Sequence, residues 1–143
     1  MEAPDRKTVR IGDLELRFLV DEAESAGKVV MFEFVVPSKA RVPAPHHHRD
    51  VDEVVYGLEG TLTTTVDGQK RPIAAGETVF IPRGSVHHHE NVDQGRARGL
   101  IVMTPGSIGR RYFEEIAREV NVVGKPDLAK IKEIMLRHGL VPA

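Results

Sequence analysis

Between residues 8 and 104 the chain consists of short apolar runs rich in Val, Ile, Phe and Thr, separated by Gly, Pro and Asp. Such runs predict β-strands, and many of them at short spacing predict a sandwich or a barrel. The pair Asp67-Gly68 predicts a two-residue hairpin turn. The sequence therefore predicts a mainly all-β fold with strands at 14–20, 28–36, 42–48, 53–58, 61–66, 78–81, 87–92 and 97–104.

After residue 106 the pattern changes to that of two amphipathic helices. Ser107 is the predicted cap of the first helix and Asp127 that of the second, with Gly139 at its end. We expect residues 1–106 to form the barrel and residues 107–143 a helical extension of the same domain. The extension would cover a sheet or a neighbouring subunit, or act as a lid. Its apolar positions are Ile108, Tyr112, Ile116 and Val120, then Leu128, Ile131, Ile134 and Met135.

Composition narrows the function classes. The 143 residues suffice for one domain, and 20 basic residues nearly balance 21 acidic ones. Because no basic block or long apolar run occurs, we expect neither nucleic acid nor a membrane as partner. The polar segment 1–10 is unlike a secretory signal, so we expect a cytoplasmic protein. The absence of cysteine excludes disulfides, thiolate metal sites and cysteine nucleophiles.

Six of the seven histidines form two internal triplets, at 46–48 and 87–89. In a strand, alternate side chains share a face, so His46 and His48 point together and His47 points away. Glu53 lies at an odd offset from His48, and a bend at residues 49–52 is needed to bring it to the same pocket. In the second triplet His87 and His89 share a face with Asn91, and His88 points away. We expect Asn91 to make turn or strand-end hydrogen bonds.

The two histidine segments resemble the two motifs of the cupin family. The first pairs two histidines one residue apart with a glutamate and a glycine, here His46, His48, Glu53 and Gly60. The second has a glycine, a Pro-x-Gly turn, a histidine and an asparagine, here Gly76, Pro82, Gly84, His87 and Asn91. Together the motifs cover about a third of the chain.

This resemblance implies a double-stranded β-helix, or jelly-roll barrel, that is commonly dimeric. It also implies one divalent metal ion inside the barrel, bound by His46, His48, Glu53 and His87. Three imidazoles and one carboxylate suit Fe, Mn, Ni, Cu or Zn, and four protein ligands leave open positions on an octahedral ion. An uncovered strand edge also predicts a homodimer. The alternative reading of these residues is a solvated polar set on loops, or a barrel without a working site.

The leading functional hypothesis is a metal-dependent dioxygenase acting on a small organic substrate. His89 is the candidate catalytic residue, as an acid or base beside the metal ligands; orienting His87, contacting substrate or a packed, hydrogen-bonded role are its alternatives. The same site would serve an isomerase or lyase. A module that only binds a metal or small ligand remains open, as does a storage-type barrel.

The sequence also predicts where several further side chains point. We expect a barrel-interior position for Phe32, Phe34, Val55, Phe80 and Met103, and an outer or interface position for Tyr56. Arg49 and Arg83 are expected to be solvated.

Overall fold

The computed structural model of the protein describes residues 7–143. The first six residues of the predicted range 1–106, and of the polar segment 1–10, lie outside the described residues. The described part forms two helices, α1 (Arg110–Val120) and α2 (Leu128–Arg137). Its strands are β1 (Thr8–Ile11), β2 (Leu14–Val20), β3 (Val30–Val36), β4 (His46–His48), β5 (Asp52–Glu59), β6 (Thr61–Val66), β7 (Gln69–Ala74), β8 (Thr78–Ile81), β9 (His87–Glu90), β10 (Ala97–Thr104) and β11 (Leu140–Pro142).

The strands form two antiparallel sheets that face each other across one apolar core. The six-stranded sheet has the order β1-β2-β3-β10-β5-β8, and the five-stranded sheet the order β11-β4-β9-β6-β7. Consecutive strands β4, β5 and β6 alternate between the sheets, as in a jelly roll. The predicted all-β class with two C-terminal helices is confirmed.

The strand predictions differ from the structure mainly where proline or charge obscures the pattern. Four predicted strands, β2, β6, β8 and β10, have the predicted bounds. The run predicted at 42–48 is a strand only at His46–His48, because Pro43 and Pro45 precede it. β7 was not predicted because it contains Lys70, Arg71 and Pro72; it lies at a sheet edge, where proline is tolerated. β1 and β11 were also not predicted.

The core contains most of the apolar residues expected there. Phe32, Phe34, Val55 and Met103 are at most 5% exposed, which confirms their predicted position. Phe80 is 58% exposed, so its predicted interior position is wrong. In β8 it is Val79 and Ile81 that point inward, and strand alternation directs Phe80 outward.

The turn at the end of β6 follows the sequence prediction. Asp67 and Gly68 both have positive φ, at 48° and 82°, and Val66 pairs with Gln69 across them. This is the two-residue hairpin geometry that the pair predicts.

The two helices begin in different ways. Asp127 caps α2 as predicted, because its side chain accepts hydrogen bonds from the backbone amides of Ala129 and Lys130. The prediction that Ser107 caps α1 is wrong. That helix begins at Arg110, whose amide donates instead to Oδ1 of Asp21, 2.9 Å away in the segment after β2. The cap of α1 is therefore a tertiary contact.

The helical extension ends by returning to the barrel. Gly139 has a φ of 84° and follows α2, as predicted for a helix stop. β11 then pairs with β4 and becomes an edge of the five-stranded sheet. The division of the chain into residues 1–106 and 107–143 stays a prediction. Within residues 7–143, neither helix has the length or apolar character needed to cross a bilayer.

Candidate metal centre

The histidines of both triplets lie on neighbouring strands of the five-stranded sheet. His46 on β4 pairs directly with His87 on β9, which brings the two triplets together. The rings of His46, His48 and His87 are mutually close, with centroids 4.8 to 5.3 Å apart. One potential ligand nitrogen from each lies within 4.8 Å of the others.

Glu53 reaches the same point from the opposite sheet. The chain bends at Arg49 and Asp50, crosses to the six-stranded sheet and begins β5 at Asp52. Glu53 Oε1 lies 3.9 Å from Nδ1 of His48 and 3.8 Å from Nε2 of His87. The bend that the odd offset required is therefore present, and its cause is a change of sheet.

Backbone carbonyls determine which nitrogen carries the proton in two of the neutral rings. Nδ1 of His46 lies 3.0 Å from the Ala44 carbonyl oxygen, and Nδ1 of His87 lies 3.0 Å from that of Ser85. A carbonyl only accepts, so Nδ1 must be the donor in each ring. When these rings are neutral, Nε2 therefore keeps a free lone pair, which is the form that binds a metal.

The His48 ring has no such partner. Its side chain is 5% exposed, and Nδ1 is buried without a hydrogen bond. An unpaired polar atom in the interior costs about 1–3 kcal/mol. Two atoms each about 2.0–2.2 Å from one ion lie about 3 to 4.4 Å apart, and the Glu53 distances to His48 and His87 fall in that range. Glu53, His48 and His87 are therefore spaced as ligands of one divalent ion, and a nitrogen of His46 lies within 4.8 Å of those of His48 and His87.

The imidazoles are kept neutral by their surroundings. Burial lowers the pKa of His46 and of His48 to about 4, and it lowers the pKa of His87 as well. Burial alone would raise the pKa of Glu53, but the hydrogen bond from His89 and the nearby imidazoles hold it well below its usual range. Neutral imidazoles around an anionic carboxylate are the protonation states that a cation requires.

His89 contacts the carboxylate rather than its neighbour in the motif. Its Nε2 lies 2.9 Å from Glu53 Oε2, and its Nδ1 lies 2.9 Å from Oγ1 of Thr64, a residue with no exposed surface. The hydrogen-bond partners of His89 are thus Glu53 and Thr64, not His87. Sequence reasoning missed Thr64, although its place in the Thr-rich run opposite the second triplet was a usable signal.

The remaining residues of the motifs take supporting positions. His88 points away from the centre, as predicted, and lies 3.3 Å from Glu90. Asn91 ties the chain together by donating to the carbonyl oxygens of Val36 and Gly95, which confirms its predicted strand-end role. Arg83 forms a half-exposed, two-pronged ion pair with Asp52 and does not enter the site.

Comparison with known protein families gives one match over half of the chain. A family model described as a cupin domain matches residues 32–103, which include both histidine triplets and Glu53. Among curated proteins, quercetin 2,3-dioxygenase from Bacillus subtilis is 24% identical over 106 residues, or 74% of this chain and 31% of that protein. The chain spans between 21% and 41% of the length of the curated relatives that it matches.

Solved structures share the barrel. A predicted oxalate decarboxylase from Thermotoga maritima superimposes with a TM-score of 0.66 at 21% identity, covering 73% of this chain and 96% of the other. The polyketide cyclase RemF from Streptomyces resistomycificus has a TM-score of 0.61 at 27% identity, covering 73% of this chain and 77% of the other. These similarities confirm the predicted jelly-roll barrel.

Proposed function

The chain belongs to the cupin domain family, and from that premise we propose that it is a mononuclear metal-dependent oxidoreductase acting on a small organic molecule. The activity we favour is that of a dioxygenase, in which both atoms of O₂ enter the substrate, so that no external reductant is needed. The proposed ligands of the single divalent ion are His46, His48, Glu53 and His87.

The observation that carries this proposal is the convergence of three imidazoles and one carboxylate from two sheets. Glu53 is 4% exposed and His87 is 2% exposed, so these groups lie in the interior. A buried carboxylate among unprotonated imidazoles is costly unless a cation or hydrogen bonds compensate for the lost hydration. His89 supplies one hydrogen bond to Oε2, and Oε1 remains directed at His48 and His87.

The chain's own residues prepare the site in three ways. The carbonyls of Ala44 and Ser85 hold the rings of His46 and His87 in one tautomer. His89 orients Glu53 by donating a hydrogen bond from Nε2 to Oε2, which places a proton-bearing nitrogen beside the proposed ligands. An ion bound there would supply Lewis acidity and, if redox-active, electron transfer to O₂.

The similarity to quercetin 2,3-dioxygenase supports oxidation, whereas the similarity to a polyketide cyclase supports a second candidate. RemF is 27% identical to this chain, and the match covers 73% of this chain. A cyclase, isomerase or lyase would use the same four ligands with the ion as a Lewis acid only. A protein that binds a metal or small ligand without turnover is the third candidate.

We also make proposals about the oligomeric state, the partners and the location of the protein. We propose a homodimer, because the barrel has a strand edge that a second subunit can cover. We expect no nucleic acid or membrane partner and a cytoplasmic location.

Reconstitution with defined metals tests the proposed function. We expect the protein to be purified with one divalent ion per chain, and to rebind one after removal with a chelator. Samples loaded separately with Fe, Mn, Ni, Cu and Zn are then given phenols, diketones and sugars in an oxygen electrode. Substrate-dependent oxygen uptake supports the dioxygenase, and turnover without uptake supports the cyclase or isomerase alternative.

The two triplets offer matched controls for this experiment. His48→Ala and His87→Ala are expected to reduce bound metal below a tenth of the wild-type amount. His88→Ala changes the same residue type in the same triplet but points outward, so it is expected to leave metal content unchanged. Retention of metal by a variant in which all four proposed ligands are alanine would exclude the site.

A further inference from the structure

The neighbours of Glu53 on the inner face of the six-stranded sheet are apolar. Glu53 pairs with Met103 of β10 on one side and with Ile81 of β8 on the other. Met103 pairs in turn with Val30 of β3. All three neighbours are buried. Apart from Glu53 itself, this row of the barrel wall therefore offers a ligand only apolar contact.

The next inward-facing row of the same sheet is also apolar and partly aromatic. Its members are buried and paired across five strands: Val79, Val55, Ile101, Phe32 and Phe18. One row further, the ring centroid of Phe34 lies 6.0 Å from that of His89. The wall that faces the histidines is thus apolar from the neighbours of Glu53 to the aromatic ring beside His89.

The cationic side chains of the protein lie outside this interior. None of the lysines and arginines in residues 7–143 is buried. Arg49 and Arg83, which are close to the histidine motifs in sequence, are exposed and form ion pairs with Asp50 and Asp52. Since the described residues supply no buried positive charge, an anionic substrate would depend on the proposed ion for its neutralisation.

The proposed ligand set limits how much negative charge the ion can neutralise. A carboxylate ligand brings one negative charge, and neutral imidazole ligands bring none. A divalent ion held by Glu53 and three histidines therefore keeps one positive charge. One anionic oxygen of a substrate cancels that charge. A dicarboxylate or a phosphate ester would instead leave a negative charge without a partner in an apolar interior, which is costly.

His46 marks the side from which a ligand can reach the centre. It is half-buried, whereas His48 and His87 are buried. The segment that leads to His46 consists of uncharged, mainly exposed residues, Val42 to Pro45. The approach to the centre is therefore apolar, like the wall behind it.

We infer that the centre takes an apolar enol or phenol that binds as a monoanion, and that it excludes dicarboxylates and phosphate esters. The apolar rows contact the body of such a molecule, and its single negative charge matches the single positive charge of the loaded centre. This inference rests on the proposed metal centre. It narrows the substrate to one chemical class, for the dioxygenase and for the cyclase alternative alike.

Three small chelators test the substrate class on the zinc-loaded protein, because zinc has no redox chemistry and the ligands stay intact. Tropolone is an apolar ring that chelates as a monoanion, glycolate is a small polar monoanion, and oxalate is a dianion; each binds through two oxygens. Titration calorimetry gives the dissociation constants, which are divided by those for aqueous zinc. We expect the corrected affinity for tropolone to exceed that for oxalate by about tenfold or more, with glycolate between them.

A charge-changing variant tests the reason for this preference. Glu53→Gln removes the negative charge of the ligand set, so at saturating zinc the preference for tropolone over oxalate is expected to fall about tenfold or more. The matched control is Glu90→Gln, which makes the same change beside the outward-pointing His88 and should keep the preference.

The wild-type comparison decides the inference even where Glu53→Gln binds no zinc. A zinc-loaded wild type that binds oxalate as tightly as tropolone, after correction, would overturn the substrate class and leave the metal centre standing. An unchanged preference in zinc-loaded Glu53→Gln would also overturn it. A wild type that binds no divalent ion would overturn the proposed centre and this inference together.

Discussion

At the scale of single residues, the proposed centre depends on how Glu53 is held. Its two oxygens have separate partners: Oε2 accepts the hydrogen bond of His89, and Oε1 faces His48 and His87. The hydroxyl of Thr64 forms a hydrogen bond with Nδ1, the other ring nitrogen of His89, and so limits rotation of the ring. Residues behind metal ligands commonly set the ligand geometry and so affect affinity.

Replacing His89 tests this positioning role. We expect His89→Leu to weaken metal affinity about 10- to 100-fold, because Glu53 loses the partner of Oε2. His89→Gln places an amide donor near the same point and is expected to recover most of the affinity. Competition with a chromophoric chelator measures both values. Equal affinity of His89→Leu and the wild type would show that His89 does not position the carboxylate.

At the scale of elements, β4 is a short strand that carries two proposed ligands. It shares one residue pair with β9 but three with β11, from Leu140↔His48 to Pro142↔His46. Two backbone hydrogen bonds flank these pairs. Arg49 N donates to Gly139 O at 2.8 Å, and Ala143 N donates to Pro45 O at 3.0 Å. Hydrogen-bonded pairs alternate in antiparallel strands, so the next such pair is Val141 with His47. Thus the C-terminal strand is the main neighbour of the ligand strand.

A proline at position 141 tests whether β11 holds β4 in place. Val141→Pro removes the amide that pairs with His47, and we expect metal affinity to fall at least tenfold as β4 loses its neighbour. Val141→Ala keeps the amide and is expected to remain within threefold of wild type. Titration calorimetry measures the affinities, and amide hydrogen exchange of residues 46–48 reports the strand directly. Unchanged exchange and affinity in Val141→Pro would refute the role.

At the scale of the whole molecule, the interior histidines link folding to pH. The pKa values of His46 and His48 are about 4 in the folded chain because of burial, against 6.5 for an ordinary histidine. Between these values the unfolded chain binds more protons than the folded one, so acid favours unfolding. Glu53, whose pKa is also depressed, adds to the loss as the pH falls below its ordinary value of 4.5.

The metal-free protein should therefore be fully stable above about pH 6.5 and lose stability progressively as the pH falls towards 4. Each pKa unit of difference corresponds to about 1.4 kcal/mol. Urea unfolding at pH 7.5, 6.0 and 5.0 measures the slope, and His48→Asn is expected to flatten it, whereas His88→Asn is not. A free energy of unfolding that stays constant from pH 7.5 to 5.0 would contradict the proposed coupling.

Strand alternation was enough to predict much of the barrel and of the candidate centre. It separates His46 and His48 from His47, and His87 from His88, because a side-chain period of two is a local property of extended backbone. The same local rule, applied to β8 without knowledge of which face is buried, misplaced Phe80. A two-residue period predicts that neighbours point to opposite faces, but not which face meets the core.

By itself, then, the sequence determined the strand-rich architecture and the hairpin at Asp67-Gly68, since both follow from short-range geometry or local turn chemistry. The set of side chains proposed as ligands came from the resemblance of the two histidine segments to the cupin motifs. Only the tertiary structure decided that Glu53 arrives from the opposite sheet, that Asp21 caps α1 and that β11 pairs with β4. Those contacts join residues far apart in the chain. They depend on how the two sheets pack, which no local pattern records.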